Sequence, residues 1–180
     1  MTPAEQAKVL LPDMPDAVFD IWLGPLIEKG GWPFTSVRQS TVNTDWHQCL
    51  AGVSLQDLST MRWLRCNAPF SLPALHPSSA VTILGICAAY VEGWPSTIPG
   101  MTQHQVGMLI RRLRALKDGR ARESFFRSRE YLERIGSLHT PVVLIQRPDG
   151  LKIMDGNHRA AALLSLLDSH FVPLDSWIGN

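Results

Sequence analysis

Residues 141–164 indicate the fold class most directly, and they read PVVLIQRPDGLKIMDGNHRAAALL. Two apolar runs flank Pro148-Asp149-Gly150, which is a turn signal, so the pattern predicts a β-hairpin with strands near 142–145 and 151–154. The alanine-rich run that follows is a strong helix former. We therefore expect the chain to pass from a strand through a short polar turn straight into a helix.

The polar turn itself reads Asp155-Gly156-Asn157-His158-Arg159. Asn157 is suited to cap the helix, and the first-turn N–H groups of a helix form a ready site for phosphate. We expect Arg159 to add a cation on an exposed first turn, while His158 can donate a hydrogen bond or transfer a proton near neutral pH. Gly156 permits a tight bend and the close approach of a ligand.

Asp155 stands at the end of the predicted strand. Its carboxylate can orient His158, act as a base, or hold a divalent cation such as Mg²⁺. Each residue of the turn also has an ordinary structural explanation, because Asp-Gly is a common turn, Asn a common cap, and a first-turn Arg can be solvated. Both an anion site and a plain turn fit these residues.

Composition excludes several classes of protein. The 180 residues are 45% hydrophobic and 18% charged with a net charge of +1, which rules out a disordered chain and a uniformly basic nucleic-acid coat. The longest apolar run, residues 80–91, is too short and too interrupted for the ~18–20 residues of a membrane span. We expect no secretory signal, and three cysteines without a CxxC pair favour the reducing cytoplasm.

The neutral average conceals a basic band over residues 111–134, with nine Lys or Arg against four Asp or Glu. Arginine outnumbers lysine eight to one there, and its planar fork suits phosphate. The band fits a contact to a polyanion, and it equally fits a solvated helix face whose arginines pair with nearby glutamates. The candidate DNA contacts are Arg111, Arg112, Arg114, Lys117, Arg120, Arg122, Arg127 and Arg129.

The N-terminal half is predicted to be largely helical. The first dozen residues are expected to be a loose end, and apolar spacing predicts a helix over 16–29 that Pro25 kinks or splits. Residues 32–42 suggest a short strand or extended loop. Ser54 can cap a further helix that we expect to run through Arg65.

Three more helices are predicted before the hairpin. Residues 79–92 carry a helical apolar stripe, and Thr102 with Gln105 has the spacing of a capping box for a helix that ends near Gly119. The third runs over about 122–135 and stops at Gly136. The cysteines are expected to be inert core residues and the scattered histidines to form no metal site; these residues are Cys49, Cys66, Cys87, His47, His76, His104, His139 and His170.

The order strand, turn, strand, Asp-Gly-Asn-His-Arg, alanine-rich helix resembles the signature of the ParB/sulfiredoxin superfamily. Residues 132–138 resemble the helix and loop before the family's strand, and residues 171–174 its closing strand, so the resemblance covers roughly 123–175. It implies an α+β fold in which residues 101–180 form a ParB/sulfiredoxin-like module with a small mixed sheet. Residues 1–100 would be a helical part packed on that core, in one compact unit.

The resemblance implies a nucleotide-phosphate site at Gly156, Asn157, His158 and Arg159, with ATP as the ligand and Mg²⁺ inferred. Asp155 and His158 would be the catalytic residues, and Asp155 would hold the metal. Asn157 stands where sulfiredoxins place their catalytic cysteine, which excludes sulfinic acid reduction by that route. Only five residues follow Asp175, so a partition protein with a helix-turn-helix DNA reader is not expected.

Residues 16–22 and 31–34 are not a standard ParB element, and with the overall size they resemble the plasmid fertility-inhibition proteins. That resemblance implies a cytoplasmic protein, or one held at the inner membrane through a partner, that blocks DNA transfer through a type IV secretion system as an ATPase and DNase. Its partners would be DNA, a nucleotide and the secretion coupling protein. The alternatives are a non-catalytic nucleotide-binding inhibitor module and a ParB-like small-molecule (serine) kinase. An acidic base near the site, such as Glu130 or Glu133, would favour either enzyme, the nuclease or the kinase, over the inhibitor module.

Overall fold

Four strands pair into one mixed sheet in the part of the chain that the computed structural model describes, namely residues 1–30, 50, 52–116, 119–166 and 173–180. The elements in chain order are α1 (Pro3–Leu10), α2 (Asp16–Val18), a π-helical turn (Phe19–Leu23), α3 (Gly24–Gly30), α4 (Leu55–Thr60), β1 (Trp63–Pro69), a 3₁₀ turn (Leu72–Ala74), α5 (Pro77–Tyr90), α6 (Gln103–Arg114), α7 (Arg120–Ile135), β2 (Val142–Arg147), β3 (Gly150–Asp155), α8 (Asn157–Leu164) and β4 (Pro173–Gly179). The described chain is therefore mixed α and β, and rich in helix, as the sequence predicts.

The strands lie in the order β1-β4-β2-β3. Strands β2 and β3 form the predicted antiparallel hairpin, and β4 then pairs parallel to β2 and antiparallel to β1. A parallel pairing requires a crossover connection, and α8 lies on that connection between β3 and β4. The polar turn that precedes α8 therefore lies at the end of β3, where the chain passes from the sheet into the crossover connection.

The central strand β2 is buried on both faces, since Val142 to Ile145 are all almost inaccessible to solvent. Val142 and Leu144 belong to a core with residues of α5, α7 and α8, such as Ile86. Val143 and Ile145 belong to a second core with the N-terminal helices. The sheet is thus a middle layer between two sets of helices, which explains why β2 is a continuous apolar run rather than an alternating one.

Two expectations for the N-terminal half are wrong. The first dozen residues are not a loose end: α1 begins with a capping box between Thr2 and Glu5, and Ala7 is fully buried. The helix that Ser54 caps ends at Thr60 instead of continuing through Arg65, because the chain from Trp63 onward pairs with β4. That ladder joins residues about 110 positions apart, so helical spacing in the local sequence gives no sign of it.

Other helix predictions are confirmed. The helix over 16–29 is present, and the Gly24 N–H donates to the Phe19 carbonyl in a wider π-type turn just before Pro25, which has no N–H to donate. The capping box of Thr102 and Gln105 begins α6, although α6 ends at Arg114 and not near Gly119. Helix α7 stops at Gly136 as predicted. The extended segment predicted over 32–42, and Phe171 with Val172 of the closing strand, lie outside the described residues.

Candidate functional site

The turn between β3 and α8 is built around a glycine in the left-handed region. Gly156 has φ of 101°, and a Cβ there would come within 2.9 Å of Nη2 of Arg159 and 3.0 Å of Cγ2 of Val142. Gly156, not Asn157, occupies the cap position, and no side chain caps the helix. The expectation that Asn157 caps α8 is therefore wrong, because Asn157 is already the first helical residue.

The start of α8 leaves backbone donors available. The N–H of Ala160 donates to the Gly156 carbonyl at 2.9 Å, whereas the N–H groups of residues 157–159 have no acceptor among the described residues. The first N–H groups of any helix lack intrahelical partners, and they lie at the positive end of the helix dipole. With no capping side chain, these donors are arranged as an anion site requires.

Arg159 is not the exposed first-turn arginine that the sequence suggests. Its side chain is only 14% exposed. Nη2 donates to Oδ2 of Asp155 at 2.7 Å and to the Pro141 carbonyl at 3.0 Å, so Arg159 ties the end of β3 to the segment before β2. Its Nε is buried and has no partner within the described chain. Arg159 thus combines a structural bond with one donor that a bound anion would satisfy.

His158 is half-buried beside Arg159. Burial lowers its pKa most, the Arg159 cation lowers it further, and the Asp155 carboxylate opposes both. The ring is therefore neutral near pH 7 and able to accept or relay a proton. Its Nε2 is buried, and the residues that the structure describes offer it no hydrogen-bond partner. A buried polar atom without a partner requires an explanation, and a ligand at the start of α8 supplies one.

Two further basic residues, Arg127 and His139, adjoin this site, and of the two only His139 was not anticipated from the sequence. His139 lies two residues before Pro141, whose carbonyl binds Arg159, and its ring packs 5.5 Å from that of Tyr131 on α7. Arg127 lies one helical turn before Tyr131. Burial lowers the pKa of His139 most, and the cations of Arg159 and Arg127 lower it further. No motif marks His139 in the sequence, because its position depends on how α7 packs.

The donor set was tested against a resident divalent metal. Oδ2 of Asp155 accepts from Arg159, which leaves Oδ1 of Asp155 as the free carboxylate oxygen of the turn. Among the described residues no group of three or more His, Cys, Asp or Glu side chains is placed to hold a metal ion. Mg²⁺ is commonly held by one or two carboxylates together with substrate phosphates. These residues fit a cation that arrives with a nucleotide better than a cation held by the protein alone.

The candidate DNA contacts differ in how far they are already engaged within the protein. Arg114 donates through Nε to the Ala89 carbonyl at 3.0 Å, and Arg129 pairs through Nε with Glu133 at 3.3 Å, so both have partners. Arg122 lies over the ring of Phe126. The remaining described members are exposed and make no ion pair within the described ranges; they are Arg111, Arg112, Arg120 and Arg127. Lys117 lies outside the described residues.

Neither described cysteine is among the residues of the turn from Asp155 to Arg159. Cys87 is fully buried, its thiol donates to the Ala161 carbonyl at 3.3 Å, and burial raises its pKa to about 12. Cys66 is half-buried on β1, and Cys49 falls outside the described part of the chain. The Cys87 thiol therefore stays protonated at neutral pH, as expected of a residue that packs rather than reacts.

No protein-family model, curated protein or solved structure matches the chain. Its class is therefore defined by its own architecture, a mixed sheet between helical layers with a polar turn that opens into α8. None of the helices in the described ranges is long and apolar enough to cross a membrane.

Proposed function

We propose that the turn from Asp155 to Arg159 binds the phosphates of a nucleotide, in the manner that the ParB/sulfiredoxin resemblance implies. The observation that carries the proposal is the pair of unpartnered buried nitrogens, Nε2 of His158 and Nε of Arg159. Both belong to the first turn of α8, whose N–H groups also lack acceptors in the described chain. Arg127, whose cation acts on His139 beside the turn, adds positive potential on the neighbouring side, which favours more than one phosphate.

The reaction that we propose is hydrolysis of ATP and of DNA. A neutral His158 accepts a proton from an attacking water and returns it to the leaving oxygen. Arg159 and the first-turn N–H groups stabilise the charge that develops on the phosphoryl oxygens. Asp155 keeps Arg159 in position, and its Oδ1 is the oxygen of the turn that would hold Mg²⁺, which would supply charge neutralisation at the phosphates when bound.

The role that we propose is inhibition of conjugative or other type IV DNA export, by resemblance of the N-terminal part to the plasmid fertility-inhibition protein Osa. The exposed arginines of the basic band support sequence-independent contact with a phosphate backbone. The protein would then act in the cytoplasm, or at the inner membrane through the secretion coupling protein.

A second candidate is a non-catalytic module in which nucleotide binding switches an inhibitor on or off. The bond between Arg159 and Asp155 favours it, because that bond engages one oxygen of the only carboxylate in the turn. A stoichiometric inhibitor needs the anion site and the partner surface, but it needs no base and no metal.

The decisive experiment combines turnover and function. Pure protein is incubated with ATP and with linear DNA, with and without Mg²⁺, and transfer frequency is measured in cells that carry wild type or His158→Ala. His104→Ala, at an exposed histidine of α6, is the matched control. We expect His158→Ala to lose turnover and suppression of transfer together. If a folded His158→Ala protein suppresses transfer as well as wild type does, catalysis is not the mechanism, and the non-catalytic binding module becomes the preferred proposal.

A further inference from the structure

A cavity of about 410 Å³ opens at the start of α7, between Gly119, Arg122, Glu123 and Phe126. Phe126 is 37% exposed, and apart from it and Ile135 in the last turn, the exposed side chains of α7 are charged. The Arg122 guanidinium carbon lies 5.1 Å from the centre of the Phe126 ring. Two planar groups, one aromatic and one cationic, therefore line the same opening.

The Phe126 ring is fixed in place by its neighbours. The ring of Phe125, which is fully buried, meets it edge-on at 5.1 Å, and the ring of Tyr90 on α5 lies 6.3 Å away. The Tyr90 hydroxyl donates to the Leu113 carbonyl at 3.2 Å, which fastens the last turn of α6 beside the same cluster. Phe126 is thus a rigid platform at the junction of α6 and α7.

The charges around Phe126 favour an uncharged ligand group at the cavity and an anionic one outside it. Arg122 and Glu123 balance each other at the cavity, so an uncharged planar group suits it better than a phosphate. Outside the cavity, Arg111, Arg112 and Arg120 are exposed and unpaired within the described ranges. Phosphates fit these arginines, and a base fits the cavity.

We propose that this surface binds single-stranded nucleic acid, with a base stacked on Phe126 and Arg122 and the backbone held by the arginines of α6 and α7. The proposal rests on the nucleic-acid part of the proposed function and specifies its substrate. Duplex DNA hides its base faces in the stack, whereas a single strand presents both phosphates and base faces. The same combination of aromatic platform and cations is how sequence-tolerant single-strand binding is achieved.

The test measures binding of a labelled oligonucleotide by anisotropy, as a single strand of DNA, a single strand of RNA and a DNA duplex. The variants are Phe126→Leu, which keeps apolar volume without a π face, Phe126→Trp, which restores one, and Ile135→Ala, an exposed apolar control on the last turn of α7. We expect Phe126→Leu to weaken single-strand binding about tenfold and to leave duplex binding unchanged. Phe126→Trp and Ile135→Ala should bind like wild type, and a preference for DNA or RNA supports the proposal equally.

Single-strand binding that is unchanged in a folded Phe126→Leu protein overturns the proposal. The proposal is also overturned if the protein binds anionic vesicles in a Phe126-dependent way but binds no oligonucleotide, since an exposed apolar and basic surface also suits a membrane. The two proposals fail separately. If the protein hydrolyses no ATP under any condition but still binds single strands through Phe126, only the proposed enzyme activity is rejected. If it hydrolyses ATP in a His158-dependent way but binds no single strand, only the proposed binding surface is rejected.

Discussion

Oδ2 of Asp155 lies 2.7 Å from Nη2 of Arg159, so the last residue of β3 and the third residue of α8 are joined across Gly156. The same nitrogen donates to the Pro141 carbonyl, and the Arg159 side chain is largely buried. One ion pair therefore fixes the turn that carries the candidate site. A variant at either residue tests stability as well as ligand binding, so His158 is the cleaner probe of function.

Asp155→Ala is expected to destabilise the fold by about 2 kcal/mol, because it leaves a partly buried guanidinium without its charged acceptor. Glu133→Ala is the matched control, since it removes a second i,i+4 arginine–carboxylate pair, which is more exposed and lies on α7. An exposed pair of that kind contributes under about 0.5 kcal/mol. Urea unfolding monitored by far-UV circular dichroism measures both, and equal losses in the two variants would contradict this account.

Acidification is expected to destabilise the protein partly through His158. Burial and Arg159 lower the pKa of His158 in the folded state, below its ordinary value of 6.5. As the pH falls below 6.5, the unfolded chain takes up the proton more readily, so the free energy of unfolding decreases until the folded-state pKa is passed. Above 6.5 both states are neutral at this residue and the contribution is constant.

The measurement is urea unfolding at pH 5.5 and 7.5, compared between wild type, His158→Gln and His104→Gln. His158→Gln should reduce the loss of stability on acidification without abolishing it, because the pKa of His139 is lowered too. His104→Gln, at an exposed site, should keep the wild-type loss. A His158→Gln protein that loses as much stability as wild type would show that the imidazole is not held neutral.

Ser79→Ala is expected to cost roughly 1–2 kcal/mol of stability. Strand β3 is an edge strand of the sheet, and the buried Ser79 hydroxyl accepts the Ile153 N–H at 2.9 Å. Alanine would leave that N–H unpaired in a buried place, where no strand can replace the lost acceptor. Ser71→Ala, at an exposed position whose side chain caps nothing, is the control; a Ser79→Ala loss no larger than this control would refute the assignment.

The parts of the fold that were predictable from sequence depend on local signals. Thr102 and Gln105 specify a helix start, Pro148-Asp149-Gly150 a hairpin turn, and Gly136 a helix end, and each acts within a few residues. Such signals are readable because the interacting groups are neighbours in the chain. The hairpin and the glycine bend before α8 were predicted for this reason.

The parts that were missed depend on distant partners. The first residues of β1, Trp63 to Arg65, were predicted as helix because their pairing with β4 spans about 110 residues, as in the bond from Arg65 to Asp175. Arg159 was expected to be exposed because its acceptor on Pro141 lies 18 residues earlier. His139 joins the site only through packing against Tyr131. Pairings of this kind are fixed by tertiary structure, which spacing along the chain does not encode.

Cysteine chemistry is expected to play no part in any activity. Burial raises the pKa of Cys87 to about 12, so its thiolate is scarce at neutral pH, and iodoacetamide should label Cys66 in the folded protein but Cys87 only after unfolding. The triple Cys→Ser variant should keep turnover, provided that it folds. Mass spectrometry of the labelled peptides measures reactivity, and rapid labelling of Cys87 in folded protein would contradict the prediction.

Binding of single-stranded DNA is expected to weaken steeply with salt, in proportion to the arginines that contact phosphate. Each contact releases condensed counterions and contributes about −0.7 to the slope of log K against log salt for a single strand. Arg111 and Arg112 are exposed without ion pairs in the described chain, so replacing both by alanine should make the slope shallower by about 1.4. Arg129→Ala should change it little, because Arg129 is already engaged by Glu133. Titrations at several salt concentrations give the slopes directly. A double variant with the wild-type slope would exclude Arg111 and Arg112 from the interface, and a wild type whose affinity does not depend on salt would exclude a phosphate-binding surface.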